Sequence, residues 1–149
     1  RYASELQKKI ENATEKIKAF NEDFNGFNKT LGAIRSLQET SRSLTKGIKS
    51  YLQNKNFSKN KINRINAQLI ALEKSFISEK GMYFGAWYKS LYASSDPFSG
   101  YAAWILPGIE YEIALKASDR LEEWDLRYAN VIDSLDNKMK ELNKQIQMD

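Results

Sequence analysis

Apolar residues recur at steps of three and four through most of the chain. Ala3, Leu6, Ile10, Ala13, Ile17, Phe20 and Phe24 keep this spacing without a miss, with Lys8, Lys9, Glu11, Glu15 and Lys16 around the other faces. The spacing lays one apolar stripe along a helix and predicts helix 1 over about 2–23. Asn25-Gly26 reads as a turn. Phe27, Leu31, Ile34, Leu37, Leu44, Ile48 and Leu52 resume the stepping, Ser41 filling the one polar slot. They predict helix 2 over about 27–54. Residues 53–61 form a polar connection in which Ser58 suits an N-cap. Ile62, Ile65, Leu69, Leu72 and Phe76 predict helix 3 over about 59–78, ended by Gly81.

Residues 79–106 break the pattern. They hold Tyr83, Phe84, Trp87, Tyr88, Tyr92, Phe98, Tyr101 and Trp104, eight of the chain's 18 aromatics, together with Gly81, Gly85, Gly100 and Pro97. Disordered segments are poor in aromatics, and loops this long are uncommon unless they serve a function. The segment therefore predicts an ordered loop, with a short helix around 84–91. Pro107 suits the first position of a helix over 108–117, where its missing N–H costs nothing. Asp119 followed by Glu122 has the form of a capping box and predicts a break near Ser118. Trp124, Tyr128, Val131, Leu135, Met139, Leu142 and Ile146 make the last stripe, on a helix over 119–147 that is roughly 42 Å long. Separate stripes with turn signals between them favour folding back over one long coiled coil. The expected fold is all-α: one domain over 1–149, an antiparallel four-helix bundle (up-down-up-down) with a long aromatic-rich loop between helices 3 and 4.

Composition narrows the chemistry. The chain has 149 residues with no His and no Cys. That excludes a disulfide, a thiolate nucleophile, a Ser-His-Asp triad and any zinc site built on His or Cys. The carboxylates lack EF-hand spacing, so no metal-binding residues and no catalytic residues are expected in this chain. No apolar run approaches the length of a membrane span. Residues 1–80 carry 16 Lys/Arg against 8 Asp/Glu, whereas 81–149 carry 7 against 11. The acid-free stretch 42–64 contains Arg42, Lys46, Lys49, Lys55, Lys59, Lys61 and Arg64. A freestanding adapter that binds an anionic partner would look like this, and so would a solvated helix face. No nucleic-acid motif accompanies the charge, so no nucleic acid is expected as partner. The aromatic loop is the stronger candidate for recognition, since aromatics on ordered loops are enriched at interfaces.

Three segments carry a resemblance: LIALEKSFISEKGM (69–82), WYKSLYAS (87–94) and SGYAAWILPGIEYEI (99–113). The motif residues are Leu69, Glu73, Phe76, Trp87, Tyr88, Lys89, Tyr92, Ala93, Gly100, Tyr101, Leu106, Pro107, Gly108 and Ile109. In this pattern the chain resembles the transferrin receptor-like dimerisation domain, the helical C-terminal part of glutamate carboxypeptidase II-like zinc peptidases. The resemblance implies a domain that packs on its own peptidase domain, pairs with a second copy as a homodimer, and lends a loop to the peptide-substrate cleft. It implies substrate-binding roles for Ser99, Gly100 and Tyr101, and interface roles for Trp87, Tyr88, Tyr92 and Trp104. Gly100 stands where glutamate-specific members carry a Lys, so a preference for C-terminal glutamate is not implied. The family's two zinc ions would belong to a peptidase domain outside this chain, in a bacterial parent of periplasmic or extracellular location. An inactive, receptor-like parent is the remaining reading.

Overall fold

The computed structural model describes residues 2–54 and 58–148. Lys55, part of the basic stretch, lies outside the described residues. The chain is mostly helical. Helix α1 spans Tyr2–Lys18, α2 Asn28–Gln53, α3 Lys59–Ala71, α4 Pro107–Leu115 and α5 Leu121–Gln147. A 3-10 turn, Leu72–Phe76, continues α3. Two short strands, β1 (Ala93–Ser95) and β2 (Ala103–Ile105), pair antiparallel with Ala93 opposite Ile105 and Ser95 opposite Ala103.

The long helices α2 and α5 pack side by side and run parallel. Thr30 meets Asp125, Ser36 meets Asp136, and Ser43 meets Asn143, so the numbers climb together on both helices. Helix α1 lies antiparallel on the first half of α2, with Gln38 donating to Gln7. Helix α3 lies antiparallel on the second half of α5, through Gln68 to Gln145 and Lys138 to Ser75. Helices α1 and α3 thus flank different halves of the central pair. The interior divides the same way. The larger core gathers Leu6, Ile10, Ile17, Phe27, Ile34, Leu37, Ile109, Trp124, Tyr128 and Ile132. A smaller one joins Leu44, Ile65, Leu142 and Ile146.

Several boundaries differ from the periodicity. Helix α1 stops at Lys18 because the N–H groups of Phe20 and Asn21 both donate to Ile17 O, closing the ladder. Phe20 and Phe24 still pack on the core from the turn that follows. The third stripe tightens into the 3-10 turn, which swings Phe76 into the interior. No helix forms around 84–91. Met82 and Gly85 bridge each other there, and Leu91 N–H donates to Phe76 O. Pro107 does open α4, and the break near Ser118 is present. Asp119 does not cap α5: the N-cap is Arg120, and no side chain caps it.

Two joints between helices are built from buried polar groups. Phe27 precedes α2 and has no side-chain cap to offer. Asp125 of α5 supplies one instead, accepting Thr30 N–H at 2.8 Å and Lys29 N–H at 3.1 Å, while Thr30 Oγ1 donates to Asp125 O. Glu112 of α4 is fully buried. It accepts Arg120 Nε at 2.8 Å, Arg120 Nη2 at 3.1 Å and Trp124 Nε1 at 3.1 Å, which fixes the α4–α5 elbow.

Candidate functional site

The segment between the 3-10 turn and α4 is anchored at both ends. At its start, Ser78 N–H donates to Lys89 O, and Arg127 Nη2 donates to Gly81 O at 2.9 Å. Gly81 sits at φ +65°, and a Cβ there would lie 2.4 Å from Ala86 O, so the turn demands glycine. At its end, Leu106 adopts φ 59° while buried, an uncommon conformation for a branched side chain. Pro107 and Gly108 follow at once. A Cβ on Gly108 would meet the Trp124 ring at 2.4 Å, so only glycine lets α4 approach α5 this closely.

Between β1 and β2 the chain reverses through residues 96–102, and a single carboxylate organises the reversal. Asp96 Oδ1 accepts the N–H groups of Phe98 at 3.0 Å and Ser99 at 2.6 Å. Its Oδ2 accepts Ser99 Oγ at 2.6 Å and Ala102 N–H at 2.9 Å. Asp96 O accepts Gly100 N–H, and Asp96 N–H donates to Ala102 O. Asp96 is 5% exposed. The hydrogen bond from the Ser99 hydroxyl, then that from the Ser99 amide, holds its carboxyl well below the usual range; burial opposes this without prevailing. Gly100 takes φ +73° at the tip. The consequence is a hairpin tip held from within that presents Tyr101 at 98% exposure. Asp96 is the site residue that sequence reasoning missed. Its signal was Asp-Pro-Phe-Ser-Gly at 96–100, in which an Asp side chain can bond the backbone two and three residues on.

The residues expected to bind substrate therefore share one tip. Tyr101 faces outward, Gly100 makes its backbone turn, and Ser99 Oγ is engaged with Asp96 and with Tyr101 N–H. Of the residues expected at an interface, Trp87, Tyr88 and Trp104 join one network of rings. Trp87 contacts Tyr88, Tyr88 contacts Phe84, and Phe84 contacts both Trp104 and Tyr111. Phe98 closes it, stacked on Tyr111 at 6.1 Å. Trp87 and Phe98 are 76% and 64% exposed, so the network is an outward-facing aromatic surface. Tyr92 does not belong to it. Its ring packs against Tyr2 and Phe76, on the helical side.

The described part of the basic stretch belongs to the second half of α2 and to the start of α3. Lys46, Lys49, Lys59 and Arg64 are exposed and pair with no acid among the described residues. Lys46 and Lys49 belong to the last turns of α2. No helix of the described residues is long and apolar enough to cross a membrane.

The chain is a mostly helical domain with an anchored, outward-facing aromatic loop. The chain belongs to the transferrin receptor-like dimerisation domain family, whose model matches residues 2–140. Comparison with curated proteins finds none that matches the chain.

Proposed function

We infer that this chain is the C-terminal dimerisation domain of a glutamate carboxypeptidase-like zinc exopeptidase, and that its β1–β2 hairpin completes the substrate pocket. The observation that carries this reading is the Asp96-held tip, which holds Tyr101 out at 98% exposure. An exposed phenol on a braced turn has no packing role, and Gly100-Tyr101 is where the resemblance puts the pocket wall. The phenol can donate one hydrogen bond to the terminal carboxylate of a peptide but supplies no countercharge. Trp87, Tyr88, Phe84 and Trp104 provide an apolar surface against the peptidase domain of the same chain. Tyr92 serves from the other side, fixing the base of the hairpin to the helices. Ser99 and Gly100 act by shaping the tip.

Among the described residues no three His, Cys, Asp or Glu side chains converge into a cation site. The residues present therefore do not fit the family's zinc pair, whose ligands would come from the peptidase domain. This domain's part is binding and orientation.

The test uses the parent protein. Tyr101→Phe is expected to raise KM for a peptide substrate several-fold with kcat little changed, the pattern of a lost ground-state contact. Unchanged kinetics would remove Tyr101 from the pocket.

A further inference from the structure

One end of the molecule concentrates positive charge. Residues 40–54, 58–71 and 138–148 close around the smaller core, where Asn143 donates to Ser43 and Lys61 Nζ donates to Ile146 O. Together they carry nine Lys/Arg and one acid, the exposed Glu141. The rest of the described chain carries twelve Lys/Arg against seventeen Asp/Glu. Of the nine bases, Lys140 pairs with Asp136, Lys138 donates to Ser75, and Lys61 lies over the Tyr51 ring. Arg42, Lys46, Lys49, Lys59, Arg64 and Lys144 are exposed and form no ion pair with a described residue.

Helix dipoles do not account for this concentration. The last turn of α2 holds no base, and Lys59 and Lys61 sit in the first turn of α3, at the positive end of its dipole. Like charges gathered in one place repel, so the fold itself gains nothing by collecting them. Apolar side chains stand among the bases. Leu52 is 49% and Met148 78% exposed, and Met148 shares a cleft with Lys61 and Arg64. The aromatic residue of this end, Tyr51, is engaged: Lys61 lies 4.8 Å from its ring centre and Ser58 N–H donates to its hydroxyl. Among the described residues here, no free ring offers a nucleobase a stacking platform.

We propose that this end docks on an anionic phospholipid surface. The bases meet the headgroups, while Leu52 and Met148 enter the boundary with the acyl chains. Basic charge beside exposed apolar side chains is how a protein lies on a bilayer without crossing it. Seven of the nine bases are lysines, point charges on flexible stems that need no fixed phosphate geometry. The aromatic loop is anchored on the first half of α5, through Glu123, Arg127 and Tyr128. Arg127 and Lys144 are about 25 Å apart along that helix. The lipid surface and the aromatic surface can therefore be occupied together, and the proposal does not depend on the pocket reading above.

The experiment is flotation of the 149-residue chain with vesicles of equal parts phosphatidylglycerol and phosphatidylcholine, and with vesicles of phosphatidylcholine alone. Circular dichroism checks the helical content of each variant. The expected result is binding to the mixed vesicles only, weakening as salt rises. Lys49→Gln is expected to weaken it about fivefold, and Lys46→Gln, Lys49→Gln and Arg64→Gln together roughly fiftyfold, with helical content unchanged. Lys80→Gln with Lys116→Gln removes charge elsewhere and should weaken binding less than about twofold. Leu52→Ser with Met148→Ser should weaken binding without changing its salt dependence. Equal binding to phosphatidylcholine alone, or binding to neither vesicle, would overturn the proposal. An equal loss in the Lys80 and Lys116 variant would reduce the effect to net charge and overturn the surface. Wild-type binding by the Leu52 and Met148 variant would overturn their insertion. Tighter binding of duplex DNA than of the mixed vesicles at the same salt would overturn lipid as the partner.

Discussion

Asp96 shows how much of a loop can hang on one side chain. Four hydrogen bonds end on its carboxylate. Its folded-state pKa is depressed from the ordinary 3.8. The sign follows directly: its contribution to stability is fully present above pH 4 and drains away as pH falls toward the lowered value. In an NMR titration the amides of Ser99 and Ala102 should therefore show no inflection between pH 7 and 4. Asp96→Asn should leave the hairpin tip more open to proteolysis at neutral pH, because Asn keeps one acceptor oxygen where Asp has two. Gly108 offers a steric counterpart. Gly108→Ala forces a methyl into the Trp124 ring and should cost about 1–3 kcal/mol in chemical denaturation, the range for overpacking. The importance of Gly108 was visible only as Pro-Gly at a helix start. What it touches depends on how α4 meets α5, which no local pattern encodes.

At the level of elements, the apolar stripes predicted which segments become helices, because a 3.6-residue period is a local property that the core must respect. Ends were harder to read. The first helix loses its last turn although Phe20 and Phe24 keep the spacing, since a chain can bury two rings from a turn as well as from a helix. The N-terminus of α2 is instructive in the same way. Its cap is Asp125, which lies 95 residues away from Thr30 in sequence. A search for a capping residue beside Asn28 finds only Phe27. Asp125→Ala should destabilise the fold by about 1–2 kcal/mol, as other cap deletions do. The urea midpoint is the readout, and a double-mutant cycle with Thr30→Val should show non-additivity because both side chains bond across one joint. The strand pair at 93–105 gave no alternating pattern over its three-residue strands, so the hairpin was hidden inside what read as a loop.

For the whole molecule, composition bounds the chemistry the chain can carry, and the aromatic cluster marks the outward-facing loop. The arrangement of helices was not readable from either. Four stripes of similar character imply four equal neighbours around one core. The structure instead makes α2 and α5 the axis and lets the others share it. The basic stretch gains its meaning only from that axis. Because α2 and α5 are parallel, the same end of the molecule carries both helix C-termini, and Lys46, Lys49 and Lys144 gather there. Acids Glu122 and Glu123 open the first turn of α5 at the opposite end. Charge segregation along the sequence is thus the projection of a parallel pair.

That parallel pair also governs when the protein can fold. Partners across the α2–α5 seam stand about 100 residues apart, as Ser36 and Asp136 do. Contacts so distant in sequence close loops of high entropic cost and slow the search for the native state. On the ribosome, α2 emerges well before α5 with an apolar face and an uncapped first turn, and it keeps both until α5 follows. Helix α1 alone can shield only part of it. A chain truncated before Leu121 should therefore show little cooperative unfolding by calorimetry and should bind chaperones strongly. The same delay means that two nascent copies cannot pair until α5 of each has been made.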